Sequence, residues 1–240
     1  MVSARGFGGS GAPRSALYRK RRPWPALVVF VILGVVAVYV WAKVIHTADD
    51  VNAAVHCNAP GPAPTSTSGT PAAPAPAPGT ALDRDALDKT TPAAATQIQL
   101  RVLNASSQKG QAGIAAAHLS QLGFGKAAEP NNDPVYPAGD LSCRGQIRFG
   151  PNGASAARTL SLVEPCAELV RDDRQDATVD LALGKRFDQI KPSSDAKQVL
   201  DQLASWAQHQ PSQQGGQLAQ QGAQPPISAD LLTAARSTHC

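Results

Sequence analysis

The residues best equipped for covalent chemistry are four cysteines, Cys57, Cys143, Cys166 and Cys240. An even number of thiols in an oxidising compartment pairs into disulfides, and three connectivities are open. Cys143 and Cys166 flank one strand and one helix. Their bridge would close a loop of about 24 residues and contribute roughly 3 kcal/mol in the chain-entropy model. Spacing therefore favours Cys143–Cys166, which leaves Cys57–Cys240 to tie the start of a linker to the tail. No Cys-x-x-Cys occurs and the spacings fit no zinc pattern, so neither a metal nor a cofactor is expected.

Acid–base and nucleophilic sets are not assembled by the sequence. His46, His56, His118, His209 and His239 are scattered, and neither His-Glu-x-x-His nor Gly-x-Ser-x-Gly is present. His118 falls on the flank of a helix and reads as structural. Asp172 and Asp173 adjoin at a strand end, where alternation turns their side chains apart, as on a solvated edge. No catalytic residue is assigned. The polar segment that could hold a ligand is Asn104-Ala105-Ser106-Ser107 with Gly110, a loop that joins a strand to a helix. Such loops lie at the carboxyl end of a sheet, where helix N–H groups can face a polar ligand. The alternative is that Asn104 bonds only its own loop backbone.

The elements that position this loop lie within residues 96–190. Gln97 to Leu103 alternates as a strand, with Ile98, Leu100 and Val102 on one face. Residues 111–122 follow as a helix lined by Ile114, Ala115, His118, Leu119 and Leu122, and Gly123 stops it. An extended piece from Phe124, a polar loop over 130–140, a strand at 146–149 and a turn at 150–153 come next. A helix over 154–163 and strands at 168–171 and 178–183 complete a β-α-β-β-α-β-β order. This is an α/β fold with helices on a mixed sheet. Residues 191–209 hold a further helix, with Ser194 as cap and Val199, Leu200, Leu203 and Trp206 as its apolar stripe. Residues 210–240 read as a mostly disordered tail with a short helix over 228–236, capped by Ser228.

Charge and hydropathy give the rest of the organisation. The chain carries 22 basic and 18 acidic residues. Six of the basic ones, and no acid, fall in residues 1–22, so the basic balance belongs to one short tail. Residues 96–205 are neutral, with 12 of each sign, which gives no field to steer a nucleic acid. Gly6-Phe7-Gly8-Gly9-Ser10-Gly11 in the tail has no strand before it and is not read as a phosphate loop. From Trp24 to Ala42 no residue is charged. As a helix this run reaches roughly 28 Å, close to the ~30 Å hydrocarbon core of a bilayer. Residues 23–43 thus read as a transmembrane anchor, with the basic tail held in the cytoplasm and everything beyond about residue 43 outside. Residues 44–57 continue as a juxtamembrane helix. Residues 58–95 read as a Pro/Ala/Thr-rich linker, with Thr65, Ser66, Thr67, Ser68 and Thr70 open to O-glycosylation.

One stretch carries a family resemblance. Leu100-Arg101-Val102-Leu103-Asn104-Ala105-Ser106, with Gly110 and Gly113, Ala115-Ala116-Ala117-His118-Leu119 and Leu122-Gly123-Phe124, resembles the LytR_C domain, the C-terminal module of many LytR-CpsA-Psr cell-wall enzymes. Ile147-Arg148-Phe149-Gly150 and the helix with Ala156, Ala157 and Leu160 are similar to its second half. The likeness covers roughly residues 96–185. It implies a role in cell-envelope integrity, with wall glycan or LytR-CpsA-Psr-type wall proteins as partners beside the lipid bilayer. It supplies no reaction, because the catalytic domain of those enzymes is longer than anything left here. The reading is a non-enzymatic, membrane-anchored binding module. The competing one is an enzyme, or enzyme subunit, of wall-glycopolymer ligation with its site near Asn104.

Overall fold

A computed structural model of the chain describes residues 24–61, 76–126, 128–209, 224–237 and 240. The basic tail, the Thr/Ser run within the linker and residues 210–223 of the tail lie outside the described residues. The chain divides into two units, Met1–His46 and Thr47–Cys240.

Helix α1 runs unbroken over Trp24–Val55, so the expected span and the juxtamembrane helix are one element. Among the described residues no helix is long and apolar enough to cross a membrane. The side chains described without a break in α1 run from Leu27 to Trp41, and all of them are exposed. A span needs about 20 residues.

The second unit holds strands β1 (Thr80–Leu82), β2 (Gln99–Asn104), β3 (Gly125–Lys126), β4 (Asn131–Asn132), β5 (Gly145–Phe149), β6 (Glu168–Arg171) and β7 (Val179–Leu183). Its helices are α2 (Gln111–Gln121), α3 (Ala154–Val163), α4 (Ser194–His209) and α5 (Ala229–Arg236). The strands form one mixed sheet in the order β1-β6-β5-β7-β2-β3, with β4 also paired to β2. β2 is parallel to β7, β3 and β4, and β5 is parallel to β6. The β5–β7 and β1–β6 pairs are antiparallel.

Alternation along the strands sends two sets of side chains to two faces. Leu100, Val102, Ile147, Phe149, Val179, Leu181 and Leu183 pack under α2 and α3. Each such side chain, fully buried, contributes about 1.5–3 kcal/mol. Leu103 and Ala182 face the other way and are covered by Val135, Tyr136 and Leu141 of the 130–142 segment. α4 and α5 form a further layer on α3 through Leu162, Val199, Leu203 and Ala235.

Several expectations need correction. The linker does not extend to residue 95. Thr80–Leu82 pairs with β6, and Leu87, Ala94 and Ala95 are buried, so the domain begins about fifteen residues earlier than composition suggests. The polar loop over 130–140 contributes β4 and carries buried Asp133, Val135 and Tyr136. Ile114 does not join the buried face of α2, which is Ala112, Ala115 and Leu119; Ile114 is 66% exposed. His118 is exposed. α4 is capped by Ser193, whose Oγ accepts from the Ala196 amide at 3.0 Å, and Ser194 is the first helical residue. Ser228 caps α5 as expected.

The cysteines pair as Cys57–Cys143 and Cys166–Cys240, not as the spacing favours. Because β5 and β6 are parallel, Cys143 and Cys166 both precede their strands at the same end of the sheet. Cys143 sits in the cluster beneath the 130–142 segment, beside Cys57. Cys166 lies in the α3–β6 connection and is bonded to Cys240, four residues beyond α5, a helix packed on α3. Each thiol is thus held beside a partner distant in sequence, and the short Cys143–Cys166 loop does not close.

Candidate functional site

Asn104 ends β2, and its side chain builds the turn that follows. Asn104 Oδ1 accepts from the Ser106 amide at 3.1 Å, and Asn104 Nδ2 donates to the Gln108 carbonyl at 2.9 Å. The self-bonding alternative for Asn104 is the arrangement found. Ala105 donates to the Leu183 carbonyl and accepts from Leu141, which fixes the loop between β7 and the 130–142 segment. Ser106 is buried, and its Oγ lies 2.6 Å from Gln111 Oε1. Gln111 Nε2 in turn donates to the Phe187 carbonyl. Ser107 has φ 64°, an uncommon backbone for serine. Its Oγ donates to the Gly139 carbonyl at 3.0 Å.

Of the five loop residues singled out by sequence, Asn104, Ser107 and Gly110 reach a surface concavity, while Ala105 and Ser106 are buried beneath it. The main groove, about 650 Å³, runs between the start of α2 and the β4 segment. Gly113, Ala116 and Ala117 form its α2 wall, and Pro130, Asn131 and Asn132 face them. A side cleft of about 420 Å³ shares Asn104, Gly110 and Asn132 and extends to Ser107 and Tyr136. Gly110 opens α2 in the left-handed conformation without a side-chain cap, and no acidic residue occupies the first turn. The early N–H groups of α2 therefore lack side-chain acceptors. Asn131 and Asn132 were not singled out by sequence. Their signal was the Asn-Asn-Asp-Pro run, which reads as a plain turn until β4 pairs with the end of β2.

The wall opposite α2 is held by a buried polar network that sequence reasoning also missed. Arg148 Nη1 donates to Asp133 Oδ1 at 2.9 Å and Nη2 is ion-paired with Oδ2 at 2.8 Å, and both residues are buried. Arg148 also donates to Gln146, and Gln146 to Glu168 at 2.8 Å. Glu168 Oε1 accepts from the Cys57 amide. This chain of bonds locks the 130–142 segment and residues 56–61 onto the sheet. The Tyr136 hydroxyl, its pKa raised by burial, donates to the Asn58 carbonyl. A second buried carboxylate, Glu164, accepts from Arg144 at 3.0 Å. Burial pushes it up to about 7 against the pull of that arginine.

Asp172 and Asp173 stand in different surroundings. Asp172 pairs with Arg174, which also bridges to Asp180, whereas Asp173 is exposed. Among the described residues no group of three or more His, Cys, Asp or Glu could hold a metal ion.

The mixed sheet, the helices α2 and α3 and the strand-to-helix loop after β2 fall almost entirely within a stretch that matches the LytR_C family. Residues 97–187 match that family, described as LytR cell envelope-related transcriptional attenuator. The chain is also 39% identical over 188 residues to the cell envelope integrity protein Cei of Mycobacterium tuberculosis, spanning 78% of this chain and 82% of that protein. It belongs to the Cei family of LytR_C proteins. The crystal structure of the soluble domain of a conserved hypothetical secreted protein from Mycobacterium marinum superposes with a TM-score of 0.56 at 35% identity, covering 68% of this chain and 99% of that one.

Proposed function

We propose that this chain supports cell-envelope integrity as a single-pass membrane protein. The basic tail stays in the cytoplasm and the LytR_C domain works outside, where it binds wall glycan or a wall-assembly protein in the groove between α2 and β4. The observation that carries the binding reading is the groove itself. Its floor loop is fixed by its own hydrogen bonds, so little ordering cost falls on association. Its walls are mostly small side chains and amides, with the Glu129 carboxylate beside Pro130, and leave room for a sugar or a peptide backbone. The exposed apolar side chains of α1 support the anchor. Apart from Ile114, every exposed large hydrophobic among the described residues lies on that helix.

Gly113 gives a direct test. A β-carbon there meets nothing within 4 Å, so the position tolerates a side chain that projects into the groove. In cells lacking the native protein, Gly113→Arg folds normally and fails to restore resistance to envelope stress. Gly113→Ala, which favours the helix by about 1 kcal/mol, restores it. Full restoration by Gly113→Arg would remove the groove from the function. Turnover of lipid-linked wall precursors by the purified full chain would replace this reading with an enzymatic one.

A further inference from the structure

Three arginines from distant parts of the chain meet at a cavity of about 420 Å³ that shares no lining residue with the groove. Arg84 follows β1, Arg158 lies within α3, and Arg236 ends α5. Two carboxylates line the same cavity, Asp85 and Asp88, and both residues are exposed.

The charges do not balance where they are buried. The Arg158 side chain is 3% exposed and that of Arg236 is 11% exposed. Both donate to one atom, Asp88 Oδ1, on a side chain that is itself 49% exposed. A guanidinium has five N–H donors. Among the described residues Arg158 finds that single acceptor, and Arg236 finds it and the Arg84 carbonyl. The Nε atoms of Arg158 and Arg236 are both buried without a partner. Arg84 joins the cluster by donating to the Arg236 carbonyl. Burial, and then repulsion from Arg236, hold the Arg84 and Arg158 guanidinium groups below their ordinary pKa. Leaving a buried cation without a counter-charge is strongly destabilising. An added anion offsets that cost.

We propose that this cavity is a binding site for a phosphate group, free or as the head of an anionic lipid. A phosphate offers several oxygens to forked donors arriving from different directions, which a single carboxylate cannot match. Ala229, Leu232, Thr233 and Ser237 line the remaining wall, and its apolar pair leaves space for the carbon of an ester. The site exists only because three segments that read as linker, core helix and tail converge. Cys166–Cys240 fastens the last of them just beyond Arg236.

The test uses the full chain in phosphatidylcholine nanodiscs. It is titrated calorimetrically with inorganic phosphate and separately with short-chain phosphatidylglycerol, with chloride holding the ionic strength. The native chain binds at least one probe with one-to-one stoichiometry. Binding of inorganic phosphate assigns the site to the free ion; binding of phosphatidylglycerol alone assigns it to a lipid head. Arg236→Gln weakens binding roughly tenfold or more, the loss of charge-assisted hydrogen bonds. Asp88→Asn removes the competing carboxylate, so its binding tightens and its melting temperature rises more with the probe than that of the native chain. A purely structural Asp88 would leave the affinity unmoved. No heat with either probe, undiminished binding by Arg236→Gln, or unchanged or weaker binding by Asp88→Asn would each overturn the assignment.

Discussion

Burial raises the Glu164 carboxyl to about 7, well above its ordinary 4.5, although Arg144 pulls the other way. The folded chain therefore holds this proton more tightly than the unfolded chain, and between those two values unfolding releases it. The residue's contribution to stability is fully present below pH 4.5 and is lost as the pH rises to about 7. Asp188, the other carboxylate on Arg144, is partly desolvated, yet bonds from the Gln189 amide and Arg144 hold it below its ordinary 3.8. Its contribution is lost as pH falls below that value, outside the Glu164 window. Melting temperatures of the full chain should decline from pH 4.5 to 7, and Glu164→Gln, which keeps an acceptor for Arg144, should flatten that decline. An equal slope in the variant would assign the titration to another group. Gly139 offers a second single-residue test. Its φ is +62°, and a β-carbon there would fall 2.7 Å from the Ser107 amide nitrogen. Gly139→Ala should cost about 2 kcal/mol or more in urea unfolding and disturb the side cleft next to Ser107. A loss under 0.5 kcal/mol would mean that the Ser107 turn yields freely.

How far the elements could be read from the chain depended on where their partners lie. The helix over 154–163 falls where its composition and the preceding Gly-rich turn place it, because those signals are local. β2 and β7 announce themselves by alternation. β1 and β4 are three and two residues long and exist only through pairing with β6 and β2, so no local pattern marks them. The same holds for the Arg148–Asp133 pair, whose members are 15 residues apart and join two different elements. The groove was half legible: Asn104 and Gly110 mark one wall, while Asn131 and Asn132 become a wall only after β4 docks. Loop length misplaces the disulfides because it carries no information on which distant segments the fold brings together. Their separations of 86 and 74 residues each give about 4.5 kcal/mol in the chain-entropy model, more than the short loop offers. Cys240→Ser should lower stability by about 2–5 kcal/mol and expose α5 to limited proteolysis while the β2–β7 core stays intact. Retained protection of α5 would show that packing on α3 alone holds it.

For the molecule as a whole, compartment and topology are tied together by the cysteines. Cys57 follows the end of α1 by two residues and is joined to Cys143, while Cys166 holds the last residue of the chain. Both bridges need an oxidising environment, and a reducing cytoplasm would keep the thiols free. On the proposed topology the six basic residues before α1 keep the tail on the opposite side of the membrane. With the apolar run crossing once, as proposed, these two constraints agree. In intact cells the full chain should then pellet with membranes, resist a membrane-impermeant thiol reagent until a reductant is added, and afterwards label on its cysteines. Deletion of residues 1–43 behind a cleavable export signal should release the domain as a soluble protein with the same two bridges. If instead the full chain labels without reductant only after the cells are opened, the domain lies inside, and both the anchor orientation and the wall-binding role fall together.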